Sequence, residues 1–215
     1  MRAVHQKFVW VACVLGLAVS GAGGANADLS TPKKAATAFA LALQRGDFGA
    51  VKSVTTGSES DYKLMETLSA MTAASNKVHD AAISKFGEEG RKIAAAISTG
   101  DPEKIPLEIE ASEERVSGDS ALIIAKGTPE ANAVKLTKVG GEWKVDLAHY
   151  PLKEKLVQQS PMFDATAKLF TQIAGDLSPG KYHSALEAGQ DIQQRLMTLQ
   201  MALRQSQRPA TTPAR

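Results

Sequence analysis

Two adjacent glycines between two alternating segments are the feature that most constrains this chain. The sequence reads VKLTKV before Gly140-Gly141 and EWKVDL after it. A two-residue glycine loop is typical of a β-hairpin, because both turn positions favour positive φ angles. The turn predicts four pairs below Val139 and Glu142, alternately apolar and polar: Leu136 with Val145, Val134 with Leu147, Thr137 with Lys144, and Lys135 with Asp146. A slip of one residue would destroy both patterns, so the register is strongly specified.

Trp143 lies on the apolar side of this hairpin, beside Lys138. It is the only tryptophan after residue 27. A tryptophan ring contributes a large apolar area, so we expect Trp143 to cover a hydrophobic core. The alternative is that it lines a ligand pocket, for which Phe39 and Leu43 are the other candidate residues.

Helical patterns fill the chain before the hairpin. Thr31 followed by Pro32 predicts a helix start, and Gly46 predicts its end. Asp47 is expected to begin a short second helix. A long helix is predicted over residues 60–86, because its apolar face recurs in steps of three and four: Leu64, Leu68, Met71, Ser75, Val78, Ala82 and Phe86. A further short helical piece is expected after Gly87.

Alternation typical of strands begins after this helical region. The segment LEIEASEERV places Leu107, Ile109 and Ala111 on one side, and SALIIAKG is expected to return beside it after a turn at Gly118. With the two hairpin strands, this makes an antiparallel sheet of about four strands. The predicted fold class is therefore α+β, with N-terminal helices before the sheet.

The C-terminal region predicts a helical hairpin. Ser160 and Pro161 predict the start of a helix that runs to Leu177, and a Ser-Pro-Gly break separates it from a helix over about 181–205. One stripe of the second helix is apolar: Leu186, Ile192, Leu196, Leu199 and Leu203. Met197 and Met201 lie away from that stripe, so we expect them to contact a second copy or a protein partner. The alternative is that the two methionines are simply exposed.

The first 27 residues have the pattern of a secretory signal. Arg2 and Lys7 precede an apolar run, and Ala25-Asn26-Ala27 has the small residues of a cleavage site. We expect a mature chain from Asp28 in the periplasm or outside the cell. The apolar run is shorter than a spanning helix needs, so no integral membrane segment is expected after cleavage, although an uncleaved anchor is the alternative.

Removing this segment changes the chemistry available to the chain. Cys13 is the only cysteine, so the remainder can form no disulfide or thiolate metal site. The full chain has 25 basic and 23 acidic residues, and loss of Arg2 and Lys7 leaves 23 of each. No dense basic block remains, so nucleic-acid binding is not expected.

No arrangement of residues carries a recognisable catalytic motif. The histidines after residue 27 are His79, His149 and His183, and none has the spacing of a metal ligand set, so no metal or cofactor is expected. His149, Tyr150 and Tyr62 are the candidates for acid–base catalysis. The alternative for each is an ordinary surface or structural role.

Two segments of the chain resemble a known family. TPKKAATAFALALQRGDFGAVKSV, followed later by VKLTKVGGEWKVDL, is similar to exported bacterial members of the nuclear transport factor 2-like superfamily. The resemblance covers about residues 30–150 and implies an α+β cone in which helices pack into a curved sheet, often around an apolar pocket. That superfamily contains isomerases, dehydratases, binding modules and adaptors, so the fold does not select among them.

These patterns divide the chain into a signal over 1–27, an α+β domain over 28–158, a helical hairpin over 159–206 and a tail over 207–215 expected to be disordered. The function expected is an exported, non-catalytic binding or protein-interaction module of unknown ligand. The alternative is a small cofactor-free isomerase- or dehydratase-like enzyme with its site inside the cone.

Overall fold

The computed structural model describes residues 27–97, 101–178 and 181–206. The predicted signal up to residue 26, the prolyl-glycine break at 179–180 and the tail from 207 lie outside the described residues. The described chain has seven α-helices: α1 Pro32–Arg45, α2 Phe48–Ser53, α3 Glu59–Phe86, α4 Glu88–Ile97, α5 Lys104–Glu110, α6 Lys153–Leu177 and α7 Ala185–Ser206. It has five strands: β1 Thr55–Thr56, β2 Glu113–Ser117, β3 Ser120–Ile124, β4 Val134–Val139 and β5 Glu142–Asp146. The α+β class is confirmed.

The N-terminal helices begin and end where the capping residues predict. The Thr31 hydroxyl accepts a hydrogen bond from the Lys34 backbone N–H at 3.3 Å, and Gly46 ends α1 at a φ of +70°. A Cβ on Gly46 would lie 2.5 Å from the backbone nitrogen of Ala73, so only glycine lets α1 end this close to α3. The long amphipathic helix is confirmed as α3.

The sheet is mixed and has five strands in the order β1-β5-β4-β3-β2, not four antiparallel strands. The additional strand, β1, runs parallel to β5 and pairs Thr55 with Val145. Sequence analysis missed it because two residues are too few to show a period.

The hairpin register is confirmed for four pairs: Leu136 with Val145, Thr137 with Lys144, Lys138 with Trp143, and Val139 with Glu142. The expected pairing of Val134 with Leu147 is wrong, because Leu147 begins a 3₁₀ turn, although both side chains are buried. Lys135 and Asp146 meet as an ion pair at 3.9 Å.

The strand expected from Leu107 is wrong at its start, because residues 104–110 form α5. Ile105 and Ile109 are buried one helical turn apart, whereas Leu107 is exposed. A short run with an apolar residue at every second position satisfies both periods, so tertiary packing decides between them. The strand begins only at Glu113.

The start expected at Ser160 and Pro161 is also wrong. Helix α6 begins at Lys153 and contains Pro161 in its interior. An interior proline costs a helix about 3 kcal/mol. Burial of Leu156 and Phe163 on either side of the proline offsets that cost, since both belong to the hydrophobic core.

Two hydrophobic clusters lie along the molecule, and α3 and α6 contribute to both. The first joins α1, the sheet and the N-terminal halves of α3 and α6. The second joins the C-terminal halves of those two helices with α4 and α7. The expected division between 28–158 and 159–206 therefore falls inside α6, which packs along α3.

Candidate interaction site

The first half of α7 is packed firmly against the rest of the molecule. Ala185, Ala188 and Ile192 recur at helical spacing and are buried in the second cluster, together with Tyr182 just before the helix. Burial of this inner face fixes the direction in which every other face of α7 points.

A cluster of polar side chains fastens α7 to the end of α6. The Tyr182 hydroxyl donates to the Asp191 carboxylate. Arg195 bridges two acids, with Nε 2.9 Å from Asp191 and Nη2 2.8 Å from Asp176. The Lys181 ammonium lies 2.9 Å from the same Asp176 oxygen.

The cluster perturbs the ionisation of its members. The hydrogen bond from Tyr182, with those from Arg195, lowers the pKa of Asp191. The bond from Lys181, joined by Arg195, lowers the pKa of Asp176. Burial raises the pKa of Tyr182, and donation to Asp191 raises it further. Both carboxylates are therefore charged, and the phenol is neutral, near neutral pH.

A groove lies on each side of α7. The groove toward α4 has a volume of about 480 Å³, and its apolar lining comprises Ile93, Ile97, Ala185, Leu186, Ile192 and Leu196. The groove toward α6 has a volume of about 680 Å³, and Lys168, Leu169, Arg195 and Leu199 are among its lining residues. A Cβ on Gly189 would lie 3.8 Å from the Ile93 side chain, which is an ordinary van der Waals contact.

The outer face of α7 carries exposed apolar side chains. Met197 is 60% exposed and Met201 is 55% exposed, and both lie away from the inner face as the sequence predicts. Leu186 is 71% exposed, so its assignment to the inner stripe is wrong. At 100° per residue Leu186 is about 120° from Ile192, which places it on the outer face.

His149 lies outside this region, directly after β5. Its Nδ1 is 2.8 Å from the Asp146 carboxylate, which also lies 3.9 Å from the Lys135 ammonium. Sequence analysis missed this acid partner, and the spacing of three residues within a turn is the signal that could have found it. The His149 side chain is 61% exposed.

Tyr62 and Tyr150, the other two acid–base candidates, make different contacts from His149. The Tyr62 hydroxyl donates to the Thr55 backbone carbonyl at 3.3 Å. The Tyr150 ring packs edge-on against Phe39, with ring centroids 5.6 Å apart, and burial raises the pKa of Tyr150 to about 12. The three acid–base candidates thus have separate surroundings, and none of them lines either groove.

The three residues named as pocket candidates belong to the first hydrophobic cluster. Trp143, Phe39 and Leu43 are all buried there, and neither groove is lined by them. The Lys138 ammonium lies 5.7 Å from the centre of the Trp143 ring. These contacts favour the core role expected for the tryptophan.

In the part of the chain that the structure describes, no group of three or more His, Cys, Asp or Glu side chains is arranged to hold a metal ion. Across the same residues, no helix combines the length and apolar character required to cross a membrane. Comparison of the chain with protein-family models, curated proteins and solved structures gives no match.

Proposed function

We propose that this protein is an exported, non-catalytic interaction module that binds through α7. The observation that carries the proposal is the exposure of Leu186, Met197 and Met201 on a helix whose inner face is already packed. A helix with apolar side chains on opposite faces is typical of one buried on both sides.

The surroundings of α7 support binding rather than catalysis. Its two grooves have lining residues that are mainly apolar or uncharged. Asp191 and Arg195, which line the groove toward α6, are paired with each other, and Asp191 also accepts from Tyr182. Catalysis by acid and base groups requires at least two of them to point into one enclosed pocket, within reach of a bound substrate. His149 faces solvent, whereas Tyr62 and Tyr150 are held by contacts of their own.

Export is the second part of the proposal, with residues 1–27 as the signal and the nuclear transport factor 2-like superfamily as the fold relationship. The chain is integrated into the fold immediately after the expected cleavage site. Leu29 is buried, and its carbonyl accepts the backbone N–H of Trp143 at 2.9 Å. Intact-mass measurement of protein from the native host should give a chain that starts at Asp28, and retention of residues 1–27 would contradict export with cleavage.

Binding through α7 can be tested by photo-cross-linking in the native host. A benzophenone amino acid placed at Met201 or at Leu186 should give the same cross-linked species. The matched control is Val139, an exposed apolar residue at the hairpin turn, which should not give it. Equal cross-linking from all three positions, or none from the two α7 positions, would contradict the proposal.

A further inference from the structure

Between Leu186 and Met201, the outer face of α7 is a continuous stripe without charge. Leu186, Gln190, Gln193, Met197 and Met201 follow one another at intervals of three or four residues. At 100° per residue they lie within about 80° of arc, and they extend over about 22 Å of helix. We name these five residues the outer stripe.

The charged residues of α7 between Leu186 and Met201 are directed away from the outer stripe or engaged nearby. Asp191 and Arg195 belong to the cluster with Tyr182 and Asp176. The Glu187 carboxylate turns back to accept the His183 backbone N–H at 2.8 Å. A partner recognised through opposite charge would therefore find no matching group along the outer stripe.

We infer that the outer stripe binds the outer stripe of a second copy of this chain, with the two α7 helices antiparallel about a two-fold axis. The inference rests on the proposed function and names its partner. A two-fold interface requires a patch that complements itself. A patch of Leu, Met and Gln does so, because it places no like charges together and amide side chains both donate and accept hydrogen bonds.

The spacing of the stripe specifies the antiparallel arrangement. An axis between Gln193 and Gln194 places Leu186 opposite Met201 of the second copy, and Gln190 opposite its Met197. The two Gln193 side chains then lie closest to the axis, and Leu186 meets Met201 at each end. Antiparallel helices also oppose their dipoles, whereas parallel helices align them.

The groove toward α4 provides the space that this arrangement needs. Leu186, Gln190 and Gln193 line that groove together with Ile93 and Ile97 of α4. In the antiparallel pair, the two methionines of the second copy project at the Leu186 end of the stripe, where the groove lies. A volume of about 480 Å³ exceeds that of two methionine side chains, and Met adapts well to irregular apolar space.

The association is tested by sedimentation velocity across a concentration series of the exported protein. We expect a reversible dimer, and Met197→Glu with Met201→Glu should raise its dissociation constant by about 30-fold or more. Both positions are exposed, so the unfolding midpoint of dilute, monomeric protein should not change. Val139→Glu is the control and should leave the dimer intact. A protein that stays monomeric at millimolar concentration, or a dimer indifferent to both glutamates, overturns the inference.

The antiparallel geometry is tested by disulfide cross-linking in a Cys13→Ser background. A mixture of Leu186→Cys protein and Met201→Cys protein should form a mixed disulfide in several-fold higher yield than either protein forms alone. Predominant cross-linking of Leu186→Cys with itself would overturn the antiparallel arrangement. A monomer that still cross-links from Met201 to a different protein in the host would refute the second copy and retain the proposed function. A monomer that also gives no cross-link from Met201 to any protein would refute both the second copy and the proposed function.

Discussion

Replacing Lys153 with methionine should destabilise the protein more than the same replacement of Lys155, the other lysine at the start of α6. The Asp61 carboxylate is only 2% exposed. Its Oδ2 accepts hydrogen bonds from the Ser58 backbone N–H at 2.9 Å and the Ser58 hydroxyl at 2.8 Å. Its Oδ1 is buried, has no aligned hydrogen-bond donor in the described chain, and meets the Lys153 ammonium as an ion pair.

The expected loss in the free energy of unfolding follows from the Asp61 charge that Lys153→Met leaves unpaired. A buried charge that loses its partner typically costs about 3–5 kcal/mol. The Lys153 side chain is 32% exposed, so water can reach the vacated position, and we expect about 2–3 kcal/mol instead. Leu152, directly before Lys153, has a φ of +58°, which is a strained left-handed conformation for a residue with a Cβ.

A double-mutant cycle measures the pair directly. Asp61→Asn keeps an oxygen for Ser58 and should cost about 1–2 kcal/mol. With Lys153→Met in the same chain, the total should fall short of the sum by at least about 1 kcal/mol, because neither change then leaves an unpaired charge. Urea unfolding followed by Trp143 fluorescence gives these free energies. Lys155→Met is the control and should shift stability by less than about 0.5 kcal/mol. Additivity within about 0.5 kcal/mol would refute the buried ion pair.

Other changes test other parts of the structure. Trp143→Ala should cost about 3–5 kcal/mol in urea unfolding followed by circular dichroism, and an unchanged midpoint would show that the ring is not core. Leu29→Ala should cost about 2–4 kcal/mol in the same assay, because Leu29 is buried beside β5. Tyr182→Phe should speed hydrogen exchange in the first turns of α7 while leaving the sheet protected. The pKa values of Asp176 and Asp191 are lowered by folding, so their stabilisation is complete above the ordinary aspartate pKa of about 3.9 and is lost as pH falls below it. Acid titration should therefore release α7 below about pH 4, and a flat profile there would contradict the cluster.

Local signals predicted much of this fold. The turn at Gly140-Gly141, the Thr31 cap and the steps of three and four in α3 each depend on residues close in sequence. The failures occurred where distant packing decides. Burial of Ile105 and Ile109 selected a helix over a strand.

The candidate site was predicted in part, for the same physical reason. Met197 and Met201 were placed correctly, since helical geometry alone separates them from the inner face. Leu186 was misassigned, because the direction of the inner face depends on how α7 meets α4 and α6. The grooves also depend on how α7 packs against α4 and α6, and the residue pattern of one helix does not specify that packing.

The central claim is that the outer face of α7 is the binding surface, and the methionine methyl groups report on it most directly. Protein labelled with ¹³C at these methyl groups should be examined by NMR across a dilution series and again in the native exported fraction. Met65 and Met71 are buried in the core and provide internal controls. The account predicts that the Met197 and Met201 signals shift or broaden with concentration while the two core signals stay in place. Met197 and Met201 signals that are unchanged in both conditions would contradict it.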